Sequence, residues 1–318
     1  MSEILSAKEL HHRRESFRGL IDEHHAKFRD GDGILKRSLI ESQSCPVCDE
    51  DDARVLFQKN GGTYVRCNRC TMIYLNPVLN DHALEEYYSS NTSLQSVNHQ
   101  LEREFYEKIY QSGLDQITRA VSGNRVLDVG CSSGLFLDVA RNFGWHTYGT
   151  ELNQTEREIA ITSGHVLLGG TIEDVPKTET FDAITLWDVF EHLKNGRRFL
   201  ELVRSFLAPS GVLFLQIPNG ESLAARVLQE KCNMFDGIEH VSLYSIETIT
   251  RLLETCNWRV ESISSVIDEL KPVLNHLNYE NPYLGSFDFG KTFTFLDSEN
   301  ILDQMLGYKL QIVARPTE

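Results

Sequence analysis

Val126-Leu127-Asp128-Val129-Gly130-Cys131-Ser132-Ser133-Gly134 reads as a buried strand that ends in a glycine and turns, with Leu135-Phe136-Leu137 opening a helix directly behind it. A strand, turn and helix in this order put the turn at the carboxyl end of a parallel sheet, where open α/β folds bind ligands. Ser132 stands where a dinucleotide fingerprint G-x-G-x-x-G has its second glycine, so a pyrophosphate cradle is disfavoured. An acid follows at the end of the next strand, in Tyr148-Gly149-Thr150-Glu151, where a carboxylate can accept hydrogen bonds from both hydroxyls of a ribose.

Outward from this turn, short β-branched runs alternate with helical stretches, the pattern of a parallel sheet with crossover helices. Strands are expected at about 125–130, 146–150, 165–168, 182–187, 211–217, 259–267 and 308–315, with helices beginning near Gly134, Asn153, Asn195 and Ser245. Pro209-Ser210-Gly211 reads as a turn feeding the fifth strand. Pro272, Pro282, Gly285 and Gly290 mark residues 271–300 as an excursion before the last strand. Residues 122–318 are thus expected to form one α/β domain. Residues 81–121 are expected to form a helical cap, with Tyr87, Tyr88, Phe105, Tyr106, Ile109 and Tyr110 on an aromatic face that serves as core or lines a pocket.

A second signal lies upstream. Cys45-Pro46-Val47-Cys48 and Cys67-Asn68-Arg69-Cys70 are two Cys-x-x-Cys hairpins separated by 18 residues, the spacing of a four-cysteine zinc ribbon. Val55-Leu56-Phe57 and Tyr64-Val65 are expected as strands between the knuckles, with Gly61-Gly62 as their turn. Cys45, Cys48, Cys67 and Cys70 would fill all four positions of a tetrahedral ion, leaving none for water, so the zinc is expected to be structural. Residues 41–80 are expected to form this module. Residues 1–40, with Leu10, Phe17, Leu20 and Ile21 at helical spacing, are expected as a helical extension, and the pairs His11-His12 and His24-His25 as part of its solvated face.

Composition bounds the function classes. At 318 residues and 41% hydrophobic content, the chain can fill one α/β core plus a smaller module. A formal charge of -15 argues against wrapping a phosphate backbone, which is normally met by clustered Lys and Arg. Met1–Leu10 carries charge and no apolar block, and no run approaches the roughly 20 apolar residues that span a bilayer, so a cytoplasmic chain without membrane insertion is expected. The remaining cysteines, Cys131, Cys232 and Cys256, are scattered and odd in number, which fits a reducing compartment. The sequence sets no oligomeric state.

Residues 125–220 resemble a class I S-adenosylmethionine-dependent methyltransferase of the broad ubiquinone-biosynthesis-like group. Asp128, Gly130 and Gly134 match the first motif and Glu151 the ribose-binding acid. Gly170-Thr171-Ile172-Glu173-Asp174-Val175-Pro176 is similar to the adenine-side loop, with Thr171 where Asp is frequent. The fourth motif runs from Phe181 through Trp187-Asp188-Val189-Phe190-Glu191-His192 to Leu193, and the fifth from Leu207 to Asn219. The resemblance implies a Rossmann-like seven-stranded sheet and a cofactor set of Asp128, Gly130, Cys131, Gly134, Glu151, Leu152, Ile172, Glu173 and Trp187. Gly237-Ile238-Glu239-His240-Val241-Ser242-Leu243-Tyr244-Ser245 looks like a substrate-side loop. With the ribbon and Tyr74-Leu75-Asn76-Pro77, it resembles methyltransferases of bacterial surface-glycan and secondary-metabolite pathways.

Methyl transfer from a sulfonium is an in-line displacement, so the protein must chiefly align three atoms and exclude water. A hydroxyl acceptor also needs a base. His240 and His192 are the candidates, with Asp188 and Glu191 as orienters; an acceptor already anionic would need the histidines only for binding. A small-molecule or glycan acceptor, methylated at oxygen, is the leading expectation. An RNA methyltransferase carrying a zinc module and a non-catalytic cofactor-binding scaffold are the alternatives.

Overall fold

The computed structural model describes residues 22–90, 95–278, 283 and 297–317. The apolar spacing of Leu10, Phe17, Leu20 and Ile21, the pair His11-His12 and most of the 271–300 excursion lie outside these residues. Of that excursion, the helices Leu270–Asn278 and Ser298–Asp303 and the buried Tyr283 are described.

The large sheet has seven strands: β1 (Arg125–Val129), β2 (His146–Thr150), β3 (Val166–Gly169), β4 (Phe181–Trp187), β5 (Leu207–Pro218), β6 (Trp258–Val266) and β7 (Lys309–Pro316). Their order across the sheet is β6-β7-β5-β4-β1-β2-β3. β7 enters antiparallel between β5 and β6, while β5, β4, β1, β2 and β3 are mutually parallel. This is the Rossmann-like seven-stranded sheet expected from the sequence. Its reversal of direction between β1→β2→β3 and β4→β5 opens a crevice at the carboxyl ends of β1 and β4.

The central strands are apolar on both faces because both faces are covered. On β5, Val212 and Phe214 pack with Val126, Ala183 and the helices Arg103–Ala120 and Leu135–Asn142, whereas Leu213, Leu215 and Ile217 pack with Leu127, Ile184 and Leu186 on the other side. Pro209-Ser210-Gly211 does not precede the fifth strand but interrupts it: pairing to β4 shifts register between Leu207 and Val212. Proline cannot donate to a ladder, so the extra residues bulge outward, where Pro209 and Ser210 are exposed.

A second, four-stranded sheet has the order Ser242–Leu243, Ile73–Leu75, Gly62–Cys67, Ala53–Lys59, three strands from before the large sheet and one from between β5 and β6. Its hairpin turn is Asn60-Gly61, not Gly61-Gly62, since Lys59 pairs with Gly62. Both turn residues have positive φ (51° and 88°), the requirement of a two-residue hairpin that Asn-Gly meets best. Cys45, Val47, Val65, Cys67, Cys70, Met72 and Tyr74 share one apolar cluster with Leu127, Ile184 and Leu213, so the module is packed onto the large sheet's own core.

His24 and His25 were expected on a solvated face and are buried, at 5% and 1% exposure. Tyr87, from the helix Asp81–Ser90, is the reason: His24 Nε2 lies 3.0 Å from its carbonyl and His25 Nε2 3.0 Å from its hydroxyl. Among the described residues no helix is long and apolar enough to cross a membrane.

Candidate active site

A cavity of about 1010 Å³ opens at the carboxyl ends of β1, β2 and β4. Its floor is the turn after β1. Gly130 and Gly134 have φ of 76° and 90°, and Ser132 between them 49°, so the backbone folds tightly enough to leave space above it. Gly134 begins the helix Leu135–Asn142 on the far side of the turn, against the His165 ring. It is the one member of the expected cofactor set that does not line the cavity; Asp128, Gly130, Cys131, Glu151, Leu152, Ile172, Glu173 and Trp187 all do.

Two carboxylates shape this end. Asp128, 2% exposed, accepts a hydrogen bond from the Thr185 hydroxyl at 2.7 Å, yet burial still pushes its pKa up to about 8. Glu151 holds the turn from the neighbouring strand, accepting from Ser132 N at 2.8 Å and Asn153 N at 2.7 Å. Burial raises its pKa against those two donors. Glu156, which the sequence did not single out, accepts from the Ser132 hydroxyl and, on its other oxygen, from Ser96 N at 2.9 Å. It ties the helix Gln95–Leu101 to the same turn.

At the end of β4, Trp187 is packed among Tyr110, Phe136 and Phe214. Asp188 follows in the left-handed region (φ 56°), its carboxylate accepting from Gln216 Nε2 at 3.1 Å and from Lys309 Nζ. Neither histidine is a hydrogen-bond partner of Asp188, so an orienting role through such a bond is not present. Lys309 comes from β7, where burial opposes its charge and Asp188 more than restores it.

Beyond Asp188 the short 3-10 turn Phe190–His192 carries Glu191 and His192 into the cavity wall, and the 237–243 loop brings Glu239 and His240 opposite them. The two imidazoles lie 4.8 Å apart, centroid to centroid. His192 Nδ1 is 3.0 Å from the Glu239 carbonyl, which can only accept, so Nδ1 carries the hydrogen and Nε2 the lone pair. His240 Nδ1 likewise faces the Met234 carbonyl at 2.6 Å and Asp236 at 3.2 Å. Their titrations are driven apart. Desolvation, then the charge of His240, lowers His192 to about 4; His240, half-buried, is lowered by desolvation too, but Asp236, Glu191 and Glu239 raise it to about 9. Glu191 is fully buried with no hydrogen-bond partner on either oxygen, and burial beside Asp188 lifts it to about 8.

Sequence reasoning missed Glu239, Lys309, Glu156 and His99 as cavity-lining groups. Glu239 adjoined a candidate and was legible as its neighbour. Lys309 carried no signal, because the antiparallel insertion of β7 alone brings it to Asp188. Tyr88, Tyr106 and Tyr110 line the cavity, whereas Tyr87 is buried behind it.

The four cysteines converge away from this cavity, with one sulfur of each within 4.8 Å of the others. Cys45 and Cys70 sulfurs are 3.4 Å apart, Cys48 and Cys67 sulfurs 3.6 Å. Tetrahedral zinc with bonds of about 2.3 Å separates its sulfurs by about 3.8 Å, so the set fits that ion. Burial pushes the Cys45 thiol up, against the backbone N–H groups of Val47 and Cys48 that point at its Sγ; at Cys67 burial is outweighed by the N–H groups of Cys70 and Arg69, and its thiol is lowered.

The family described as a methyltransferase domain matches residues 98–263, more than half of the chain. The chain belongs to that family. A ubiquinone biosynthesis O-methyltransferase of Rhizobium etli is 29% identical over 116 residues, covering 34% of this chain and 46% of that protein. Another from Actinobacillus pleuropneumoniae is 25% identical over 165 residues, covering 46% and 67%. The chain thus spans about half the length of the first of these relatives. Among solved structures, the plantazolicin methyltransferase BpumL in complex with SAH aligns with a TM-score of 0.49 at 15% identity, over 74% of this chain and 95% of that one. Magnesium protoporphyrin IX methyltransferase from Synechocystis, with bound SAH, aligns at 0.48 and 12%, over 75% and 100%.

Proposed function

We propose that this chain transfers the sulfonium methyl group of S-adenosylmethionine to an oxygen of a small-molecule or glycan acceptor, such as a sugar, nucleotide-sugar or phosphate-derivative. The observation that carries the reading is the continuity of the cavity: the Asp128, Glu151 and Ile172 end and the His192 and His240 wall open into the same space. The cofactor's ribose is assigned to Glu151, its adenine to the Leu152 and Ile172 side, and its methionine end to Asp128 and the turn after β1. The acceptor is assigned to the wall formed by Glu191, His192 and His240. There the lone pair on His192 Nε2 is available to take a hydroxyl proton, and a charged His240 to hold an anionic oxygen. The names of the ubiquinone O-methyltransferase relatives support oxygen as the receiving atom. The four cysteines are assigned a structural zinc ion.

Calorimetry with S-adenosylmethionine and with its demethylated product tests the donor half; no heat at millimolar concentration rejects the reading. Labelled-methyl transfer to extracts enriched in nucleotide sugars, lipid-linked glycans or RNA tests the acceptor. Label in RNA alone rejects the glycan assignment, and cofactor binding with no transfer to any extract supports a scaffold. His192→Ala and His240→Ala are expected to slow transfer by about 10²–10⁴-fold with cofactor affinity nearly unchanged. Unaltered rates in both reject the histidines.

A further inference from the structure

The acceptor wall is held from outside the methyltransferase domain. Strand 242–243 pairs with Ile73 and Tyr74 of the four-cysteine module, and Leu75 N donates to the Val241 carbonyl at 3.0 Å. Asn60 Nδ2 donates to the Asp236 carbonyl at 3.0 Å, and Lys59 Nζ to the Cys232 carbonyl at 2.9 Å. The two backbones touch: a Cβ on Gly62 would lie 2.1 Å from the Gly237 carbonyl oxygen. At the centre is Tyr64, fully buried three residues before Cys67. Its hydroxyl accepts from Gly237 N at 3.2 Å and donates to the His240 carbonyl at 3.3 Å, so one oxygen spans the loop that presents Glu239 and His240.

We infer that the four-cysteine module is the positioning element of the acceptor wall, with Tyr64 as the positioning residue that clasps the 237–240 loop and fixes where His240 stands. Tyr64 does not line the cavity; it acts through the loop. The module also packs onto the core beneath the turn after β1, but its hydrogen bonds named above go to the 232–243 segment, so its fold bears most directly on the acceptor half. That His240 faces an acceptor rests on the methyl-transfer reading, whereas the clasp itself does not.

Tyr64→Phe in the full chain removes the bridging oxygen and keeps the ring. Amide hydrogen exchange across 236–243 should quicken about tenfold while that of 126–134 stays unchanged, since a lost buried hydrogen bond loosens only the segment it holds. The imidazole Nδ1–H resonance of His240, protected by the Met234 carbonyl, should broaden or vanish in the nuclear magnetic resonance spectrum. S-adenosylhomocysteine should bind within about twofold of wild type, and labelled-methyl transfer should fall about tenfold. Asn60→Gly, on an exposed turn position that tolerates glycine, should show the same pattern more weakly, and decides the matter if Tyr64→Phe does not fold. Unchanged exchange and an unchanged His240 resonance in the folded variants overturn the inference. A wild-type chain that binds no S-adenosylhomocysteine rejects methyl transfer instead, and the exchange pattern still decides the clasp.

Discussion

The two ends of the cavity are built by different rules. The end we assign to the donor comes from a nearly continuous piece of chain, in which β1, its turn and the acid after β2 fold against one another through short-range contacts such as Glu151 to Ser132. The end we assign to the acceptor is assembled from segments far apart in sequence: Tyr88, His192, Glu239 with His240, and Lys309. What differs is the source of rigidity. The first end is fixed by the sheet that forms it, the second by an appended module and a late strand. Perturbations should therefore separate the two ends.

The largest separation is expected from Cys45→Ser combined with Cys70→Ser. A structural zinc contributes on the order of 10 kcal/mol to its own small fold, so the module should unfold and metal analysis should fall from about one zinc per chain to none. Cofactor calorimetry should still give binding. If binding disappears with the zinc, the two ends form one cooperative unit and the contrast fails.

Acid should separate them in opposite senses. His25, behind the acceptor wall, has its pKa lowered to about 4, chiefly by burial; Asp236 and Asp22 pull it up, while Arg29 and His24 push it down, and the Tyr87 hydroxyl is its bonded neighbour. A histidine held neutral in the folded state stabilises it above the unfolded value near 6.5, and that contribution is lost as pH falls through 4. By pH 4 the loss is about 3 kcal/mol. Asp128 has a raised pKa, so its contribution is present below the unfolded value and is lost as pH rises through about 8. Hydrogen exchange at pH 4 and pH 7 should show the 22–29 and 236–243 segments loosening in acid while 126–134 does not. Uniform loosening would refute the separation.

The smallest effect sharpens the donor end alone. Asp128→Asn should weaken S-adenosylmethionine by about tenfold, the value of a hydrogen bond to a charged group. It should also raise the melting temperature of the cofactor-free protein at pH 8, because a buried carboxyl no longer has to ionise. Tighter binding in calorimetry would show that Asp128 does not meet the cofactor.

The same division explains what the sequence made legible. Local signals carried far: the seven strands stand within about a residue or two of the expected positions except β5, whose Pro209 bulge reads as a turn because proline and glycine look alike in either setting. The knuckles were legible because metal geometry restricts cysteine spacing. Long-range partners were not. Nothing in Ser242-Leu243 announces Ile73-Tyr74 as its neighbour, since a two-residue strand has no periodicity to read. Nor does Lys309 announce Asp188, since only the sheet order brings them together. His24 and His25 looked solvated because charge near them in sequence says nothing of Tyr87, more than 60 positions away.

The pairing of Ser242-Leu243 with Ile73-Tyr74 also sets the unit in which this protein can be recombined. A chain shortened to its sheet-bearing part would expose the unpaired backbone of residues 242–243, an open edge that invites strand exchange between molecules. A chimaera seeking a different acceptor would have to move residues 53–75 and 232–243 together, as one graft, because each supplies the surface against which the other is shaped.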